Sequence, residues 1–291
     1  MLAATPVRQE LTFHPTPNSK RAGAMDNDNF QFSRGDLDRI ISETFIEHID
    51  YQHELTSTND RALQLAKAPS DHTRQLVLTD RQTVGRGRGA NRWWASEGAL
   101  TFSVLLKPEA ISLPPSCWPQ LALTTGLAVC DAIKHLLGGA DTVGLKWPND
   151  VYLNNRKACG ILVETGNGQS ARLVLGIGIN VNNRSESAPS DLRDKTVALC
   201  EAIGRDIPLV EVLIGVLQRL SSRLIWIGAG EIELREEWSR RCLLTGKHVH
   251  VEVGPRYVVG TCLGIDVDGA LLIDTDAGTE RCLSGVVTHW D

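Results

Sequence analysis

The chain has 291 residues, 42% of them hydrophobic and 22% charged, with a formal net charge of −5. This length and balance suit a globular protein with one large domain and a small one, and the acidity excludes a general nucleic-acid binder, which needs a basic field. Seven cysteines with no Cys-x-x-Cys pair read as small core residues of a reducing compartment, and no structural zinc site is expected.

Residues 1–29 are polar, carry Pro6, Pro15 and Pro17, and have no apolar signal-peptide core. A disordered or loosely ordered tail is expected over 1–34, with Met25 a second candidate start. No apolar run reads as long enough to cross a membrane, which points to the cytoplasm. Residues 36–49 place Leu37, Ile40, Ile41, Phe45 and Ile49 at a helical period. Ser57-Thr58-Asn59 then precedes a short helix at 61–68, and capping that helix is the plain explanation of the run. A strand at 75–79 delivers the chain through Gln82 into a Gly/Arg loop at 85–93, and a strand at 100–106 returns.

An apolar helix follows at 118–137, with Pro119 in its first turn and Gly138-Gly139 at its end. Strands are predicted at 142–147, 151–153, 158–165 and 172–181, with connections short enough for antiparallel pairing. Helices are predicted at 192–203, 208–227 and 232–243. From Gly246 the texture becomes short strands, at 247–253, 257–265, 270–273 and 279–283, as in a small β-barrel. The fold class is therefore α+β: a mixed sheet flanked by helices over 35–243, then a small C-terminal barrel over 244–291.

The loop at 85–93 reads Gly-Arg-Gly-Arg-Gly-Ala-Asn-Arg-Trp, followed by Trp94. Its glycines let the backbone approach a ligand, and Arg86, Arg88 and Arg92 offer donor forks that match carboxylate and phosphate. In an acidic chain such a loop points to a bound anion, although a solvated loop carries the same residues. Lys146 ends an apolar strand, where a charge is costly without a partner, and Pro148-Asn149-Asp150 turns the chain. Gly160 and Gly178 interrupt strands, a frequent sign of a ligand lying on the backbone. Asn180 at a strand end fits a turn role and a ligand contact equally well.

In this order, Ser57-Thr58-Asn59, Gln82 with the loop at 85–93, residues 98–103, Lys146-Trp147-Pro148-Asn149-Asp150, residues 156–164 and residues 176–180 resemble the biotin protein ligases. That family attaches biotin to carboxylase carrier domains, and the resemblance runs from about Leu55 to the last residue. It implies a class II tRNA-synthetase-like catalytic sheet, an SH3-like barrel, and an ATP-dependent ligase that forms biotinyl-5'-AMP and passes biotin to a carrier lysine. ATP, Mg²⁺ and biotin are the implied small molecules. The implied partner is the biotin carboxyl carrier protein or domain of acetyl-CoA carboxylase or a related carboxylase; a homodimer is left open.

The resemblance gives Lys146 and Arg88 the catalytic role. It implies biotin contacts from Ser57, Thr58, Asn59, Gln82, Arg86 and Gly87, joined by Arg88, Lys146, Gly160 and Gly178. Arg86 holds either the carboxylate or the loop. Nucleotide contacts fall to Arg88, Trp93, Asn149 and Asn180, and no residue is assigned to metal. The loop is expected to be mobile when empty and to order over the adenylate, excluding water. Three departures stand out: Asn91 replaces a motif arginine, Leu263 replaces an arginine that faces the nucleotide in some members, and the segment before Leu55 is too short and polar for a winged helix. A lipoate ligase shares the implied fold, but the Gly/Arg loop, the Ser-Thr-Asn run and the tail barrel favour biotin.

Overall fold

The computed structural model describes residues 11–13, 31–68, 70–139, 143–166, 172–229 and 234–291. Most of the expected loose tail lies outside these residues, but three of its residues form a strand, β1 (Leu11–Phe13), parallel to β2 (His48–Leu55). β2 in turn pairs in parallel with β3 (Arg74–Gln82), and the crossover between them is helix α2 (Thr58–Lys67). Antiparallel neighbours complete the sheet: β4 (Ala99–Leu106), β8 (Leu173–Asn180), β7 (Arg156–Thr165), β6 (Asp150–Leu153) and β5 (Val143–Lys146).

The helix predicted at 36–49 is two elements. Helix α1 (Arg34–Glu43) starts at a Ser33–Asp36 capping box and stops before β2 begins at His48. β2 is hidden in the sequence because His53 interrupts the alternation of Ile49, Tyr51 and Leu55, while Ile49 happens to continue the period of α1.

Helix α3 (Leu121–Leu136) and helix α5 (Leu209–Ala229) pack together on one face of the sheet. The 3₁₀ turn Pro115–Gln120 absorbs Trp118 and Pro119, so the α-helix starts later than predicted. By length and composition α5 is apolar enough to cross a membrane, against the sequence expectation; it runs along the core with Val212, Leu213, Val216, Leu217 and Leu220 fully buried. The opposite face of the sheet carries α2, where Ala62 packs on Val77, Leu105 and Val174. Of the helix predicted at 192–203, only α4 (Leu199–Ile203) forms. Residues 195–197 instead run beside Lys157, whose N–H donates to the Lys195 carbonyl while its carbonyl accepts from Val197.

After α6 (Leu234–Ser239), shorter than predicted, the chain pairs briefly with β5: Leu145 N–H donates to the Arg241 carbonyl and Leu243 N–H to the Leu145 carbonyl. It then enters a five-stranded antiparallel sheet of β9 (His248–Val253), β10 (Arg256–Ile265), β11 (Leu271–Thr275), β12 (Gly278–Cys282) and β13 (Val286–Trp290). The order is β12-β11-β10-β9-β13. β13 escapes sequence analysis because five residues after a glycine leave too little pattern to read.

Candidate active site

The N-terminus of α2 meets the sheet over β4 and β8. Ser57 caps the helix by accepting from Asp60 N–H at 3.4 Å. Thr58 N–H donates to Gln82 Oε1 at 2.9 Å, which leaves Gln82 Nε2 with no acceptor among the described residues. Ser103 Oγ donates to Asn59 Oδ1 at 2.6 Å and lies 2.8 Å from the Thr58 hydroxyl. Asn59 Nδ2 donates to the Leu162 carbonyl (3.1 Å) and to Glu164 Oε2 (2.8 Å). Both ends of the Asn59 amide are thus committed to the chain, so it props the site rather than offering free groups. Ser103, fully buried, is a member of this network that the sequence reading left without a role.

The Gly/Arg loop, expected as a mobile flap, is a short hairpin. Gly87 N–H donates to the Asn91 carbonyl at 2.8 Å, Arg86 pairs antiparallel with Arg92, and Gly89 turns at φ +64°. Asn91 serves that turn by donating its Nδ2 to the Arg88 carbonyl at 3.0 Å, which gives the motif departure a local reason. Arg86 forks onto Asp60 and Glu164. With its donors engaged by two carboxylates, it ties the loop to α2 and β7, and the carboxylate-holding alternative loses ground. Arg88 reaches the other way and donates to the Gly285 carbonyl of the C-terminal sheet. Burial depresses its pKa, and Asp150 opposes that shift.

Trp93 lies flat against the sheet where Gly160 and Gly178 face each other across β7 and β8. A Cβ on Gly178 would stand 2.6 Å from Trp93 Nε1, and one on Gly160 would stand 3.2 Å from Cζ3. The two glycines therefore exist to seat this indole, whose buried N–H has no acceptor among the described residues. Trp94 does not line the cavity.

At the end of β5, Lys146 Nζ donates to the Val287 carbonyl at 3.1 Å and sits 3.9 Å from the centre of the Trp290 ring. Burial pushes its pKa down to about 8; Asp150 resists this and Lys157 adds to it. Lys157 is paired with Asp150 at 2.7 Å. Asn149 is fixed by donating Nδ2 to the Ile161 carbonyl at 2.6 Å.

These groups enclose one cavity of about 340 Å³. Its wall includes Ser57, Thr58, Asn59 and Gln82, then Arg86, Gly87 and Arg88, then Trp93, Lys146, Asn149, Gly160 and Gly178. Asn180 is the exception among the predicted site residues. It is buried at the end of β8, donates to the Lys157 carbonyl and accepts from Asn183 Nδ2, so its amide is used by the fold and does not line the cavity. Leu263 stands on the outer surface of β10, away from the wall. Lys157, Lys195, Gly285 and Val287 line the cavity without having been singled out in the sequence. Lys157 lies in the segment 156–164 quoted for the resemblance but was given no role, while no short motif surrounds Lys195, Gly285 and Val287, which enter through long-range contacts.

The sequence model of the biotin/lipoate A/B protein ligase family matches residues 51–182, and that of the biotin protein ligase C-terminal domain matches residues 244–290. The chain is 30% identical over 271 residues to a bifunctional ligase/repressor BirA of Bacillus spizizenii, covering 91% of this chain and 79% of the relative. It is 31% identical over 244 residues to the biotin–[acetyl-CoA-carboxylase] ligase of Mycobacterium tuberculosis, covering 83% and 88%. The chain belongs to the biotin protein ligase family. Its fold agrees: the biotin protein ligase of Aquifex aeolicus, solved in complex with biotin and ATP, superposes with a TM-score of 0.70 at 32% identity, covering 84% of this chain and 97% of that one. Within this ligase the two matched regions meet at one cavity, since Lys146 and Arg88 come from the first and Gly285 and Val287 from the second.

Proposed function

We propose that the chain activates biotin with ATP as biotinyl-5'-AMP and transfers the biotinyl group to a lysine of a biotin carboxyl carrier domain. The observation that carries this is the convergence of Arg88 and Lys146 on one cavity whose opposite flank bears the neutral polar groups of Ser57, Thr58 and Gln82. Activation must bring two acids together. A carboxylate oxygen attacks the α-phosphorus, the bond from that phosphorus to the pyrophosphate oxygen breaks, and negative charge gathers on groups that repel each other. Preplaced cations lower that repulsion and stabilise the transition state, each contributing roughly 2–4 kcal/mol by analogy with oxyanion-hole donors. Lys146 and Arg88 are assigned that role.

Ser57, Thr58 and Gln82 Nε2 suit the ureido ring of biotin, and the indole over Gly160 and Gly178 supplies an apolar wall. That indole packs on the glycines assigned to biotin, so Trp93 bounds the biotin end as well as serving the adenine. Arg88 and the hairpin cover the mixed anhydride and keep water from it. In the second step the carrier amine attacks the biotinyl carbonyl, the bond to the phosphate oxygen breaks, AMP leaves, and the amine proton passes to solvent.

Among the described residues no three His, Cys, Asp or Glu side chains converge to hold a metal. The residues therefore do not form a cage for Mg²⁺, which prefers phosphate oxygens and water and would arrive on the polyphosphate. On family grounds the mixed sheet is read as class II synthetase-like and the C-terminal sheet as an SH3-like barrel. The free cysteines fit a cytoplasmic setting. The deciding experiment is incubation with ATP, Mg²⁺, biotin and an acetyl-CoA carboxylase carrier domain, followed by intact-mass measurement. A gain of one biotinyl group supports the reading, whereas a gain only with lipoate replaces it.

A further inference from the structure

The cations that line the cavity differ in what holds them. Arg86 is tied to Asp60 and Glu164, and Lys157 to Asp150, so carboxylates quench both charges. Lys146 has no carboxylate at ion-pairing distance among the described residues, and its register partner Asp150 is the one that holds Lys157. Its close contacts are neutral: the Val287 carbonyl at 3.1 Å and the face of Trp290, whose ring centre lies 3.9 Å from Nζ. Tyr152 completes an aromatic box, its ring 5.9 Å from Nζ and edge-on to Trp290 at 6.1 Å. Burial raises the pKa of that phenol, so Tyr152 stays uncharged. Tyr152 and Lys146 line the cavity, whereas Trp290 does not.

An irregularity in β13 delivers the indole. Its pairing with β9 shifts register between Val287 and His289, which inserts one extra residue into the strand. Val287 and Trp290 therefore share the inward side: the first is buried and the second packs on the core. In a regular strand His289 would share that side instead, and an imidazole would compete for the place of the indole. His289 is turned away, edge-on to His250 at 5.5 Å and 3.0 Å from Asp291 Oδ1. An aromatic face attracts an ammonium through its quadrupole, most strongly where water is excluded, yet carries no net charge. It holds a lysine without cancelling the charge that two approaching acids need.

We infer that Trp290 is a positioning residue for biotin activation, keeping Lys146 protonated and aimed into the cavity; the inference rests on the ligase reading above. The charged and titratable groups around this ammonium are Asp150 and Tyr152 on β6, Lys157 on β7, and Arg88 in the same cavity wall.

The test is the titration of Lys146 in the free enzyme, read by competitive labelling with acetic anhydride and peptide mass spectrometry, in the wild type, Trp290→Leu and Trp290→Phe. The wild-type midpoint should lie at about 8. In Trp290→Leu it should fall by about one pH unit, the tenfold scale of a desolvated cation–π contact, and Trp290→Phe should recover part of the fall. The alkaline limb of kcat/KM for biotin, measured by ATP–pyrophosphate exchange, should move with the midpoint. An unmoved midpoint in a Trp290→Leu enzyme of normal melting temperature overturns the inference. So does a midpoint that rises, which would make the ring only a shield against water, or a loss of exchange that is equal at every pH. Should Trp290→Leu fail to fold, Trp290→Phe carries the same test with a smaller fall. The labelling needs no substrate, so a chain that shows the shift but forms no adenylate overturns the ligase reading while leaving the hold of Trp290 on Lys146 in place.

Discussion

Lys146 Nζ donates to the carbonyl of Val287 at 3.1 Å, across the seam between the mixed sheet and the C-terminal sheet. Arg88 donates to Gly285, two residues earlier on the same segment. The two cations assigned to catalysis are therefore held by the backbone of a region far away in sequence, and the approach to β13 forms part of the wall around the chemistry.

Replacing Lys146 by alanine should lower biotin-dependent ATP–pyrophosphate exchange by about 10²–10³-fold, the range for loss of one preplaced transition-state donor. Near-normal exchange would remove Lys146 from the mechanism. The wild-type profile should also carry an alkaline limb. Burial brings the lysine pKa down to about 8, so the ammonium is present below that pH and is lost as pH rises through it. Because kcat/KM reports the free enzyme, its value for biotin should fall above about pH 8. The limb should vanish in Lys146→Arg if that variant stays active.

Arg88→Gly should leave biotin activation partly intact while letting the adenylate escape, because the hairpin loses its tie to Gly285. Released biotinyl-5'-AMP, measured in the filtrate of a single-turnover reaction without carrier, should appear about tenfold faster, the scale of one charged hydrogen bond. Unchanged retention would show that Arg88 is no clamp.

Gly178→Ala places a methyl group 2.6 Å from Trp93 Nε1, so the indole must leave its seat. The KM for biotin should rise by at least about tenfold while the melting temperature moves little, since the strain is relieved into the cavity rather than the core. Titration calorimetry with biotin alone checks this, and wild-type affinity would mean that the indole does not bound the biotin site.

Glu164→Gln removes one of the two carboxylates that hold Arg86 and weakens the acceptor of Asn59 Nδ2. Both side chains of the Arg86 pair are partly exposed, so the stability loss should be no more than about 1 kcal/mol. The larger effect should be faster protease cleavage within the Gly/Arg loop. A loop as resistant as the wild type would show that Asp60 alone holds it.

Much of the site was legible because its chemistry is written in short runs. Ser57-Thr58-Asn59, the Gly/Arg loop and Lys146 each combine unusual residues locally, and all of them line the cavity. What escaped depends on partners distant in sequence. Nothing near Arg86 announces Glu164, 78 positions away, as its counter-ion, so the choice between holding a carboxylate and holding the loop stayed open. Asn180 could be read either way until its amide was found spent on Lys157 and Asn183. In the fold, β2 was masked because Ile49 continues the period of α1 and His53 interrupts the strand alternation, and the helix predicted from 192 lost to backbone pairing with Lys157.

Because one void is walled from both sheets, whatever fills it also acts as glue between them. Ligand affinity and adhesion of the two halves are then a single free energy seen from two sides. Loss of the seam contact from Trp147 Nε1 to the Gly269 carbonyl (3.1 Å), next to Lys146 in the cavity wall, can weaken substrate binding by loosening the halves, and a tight-binding inhibitor will fasten them as a rivet does.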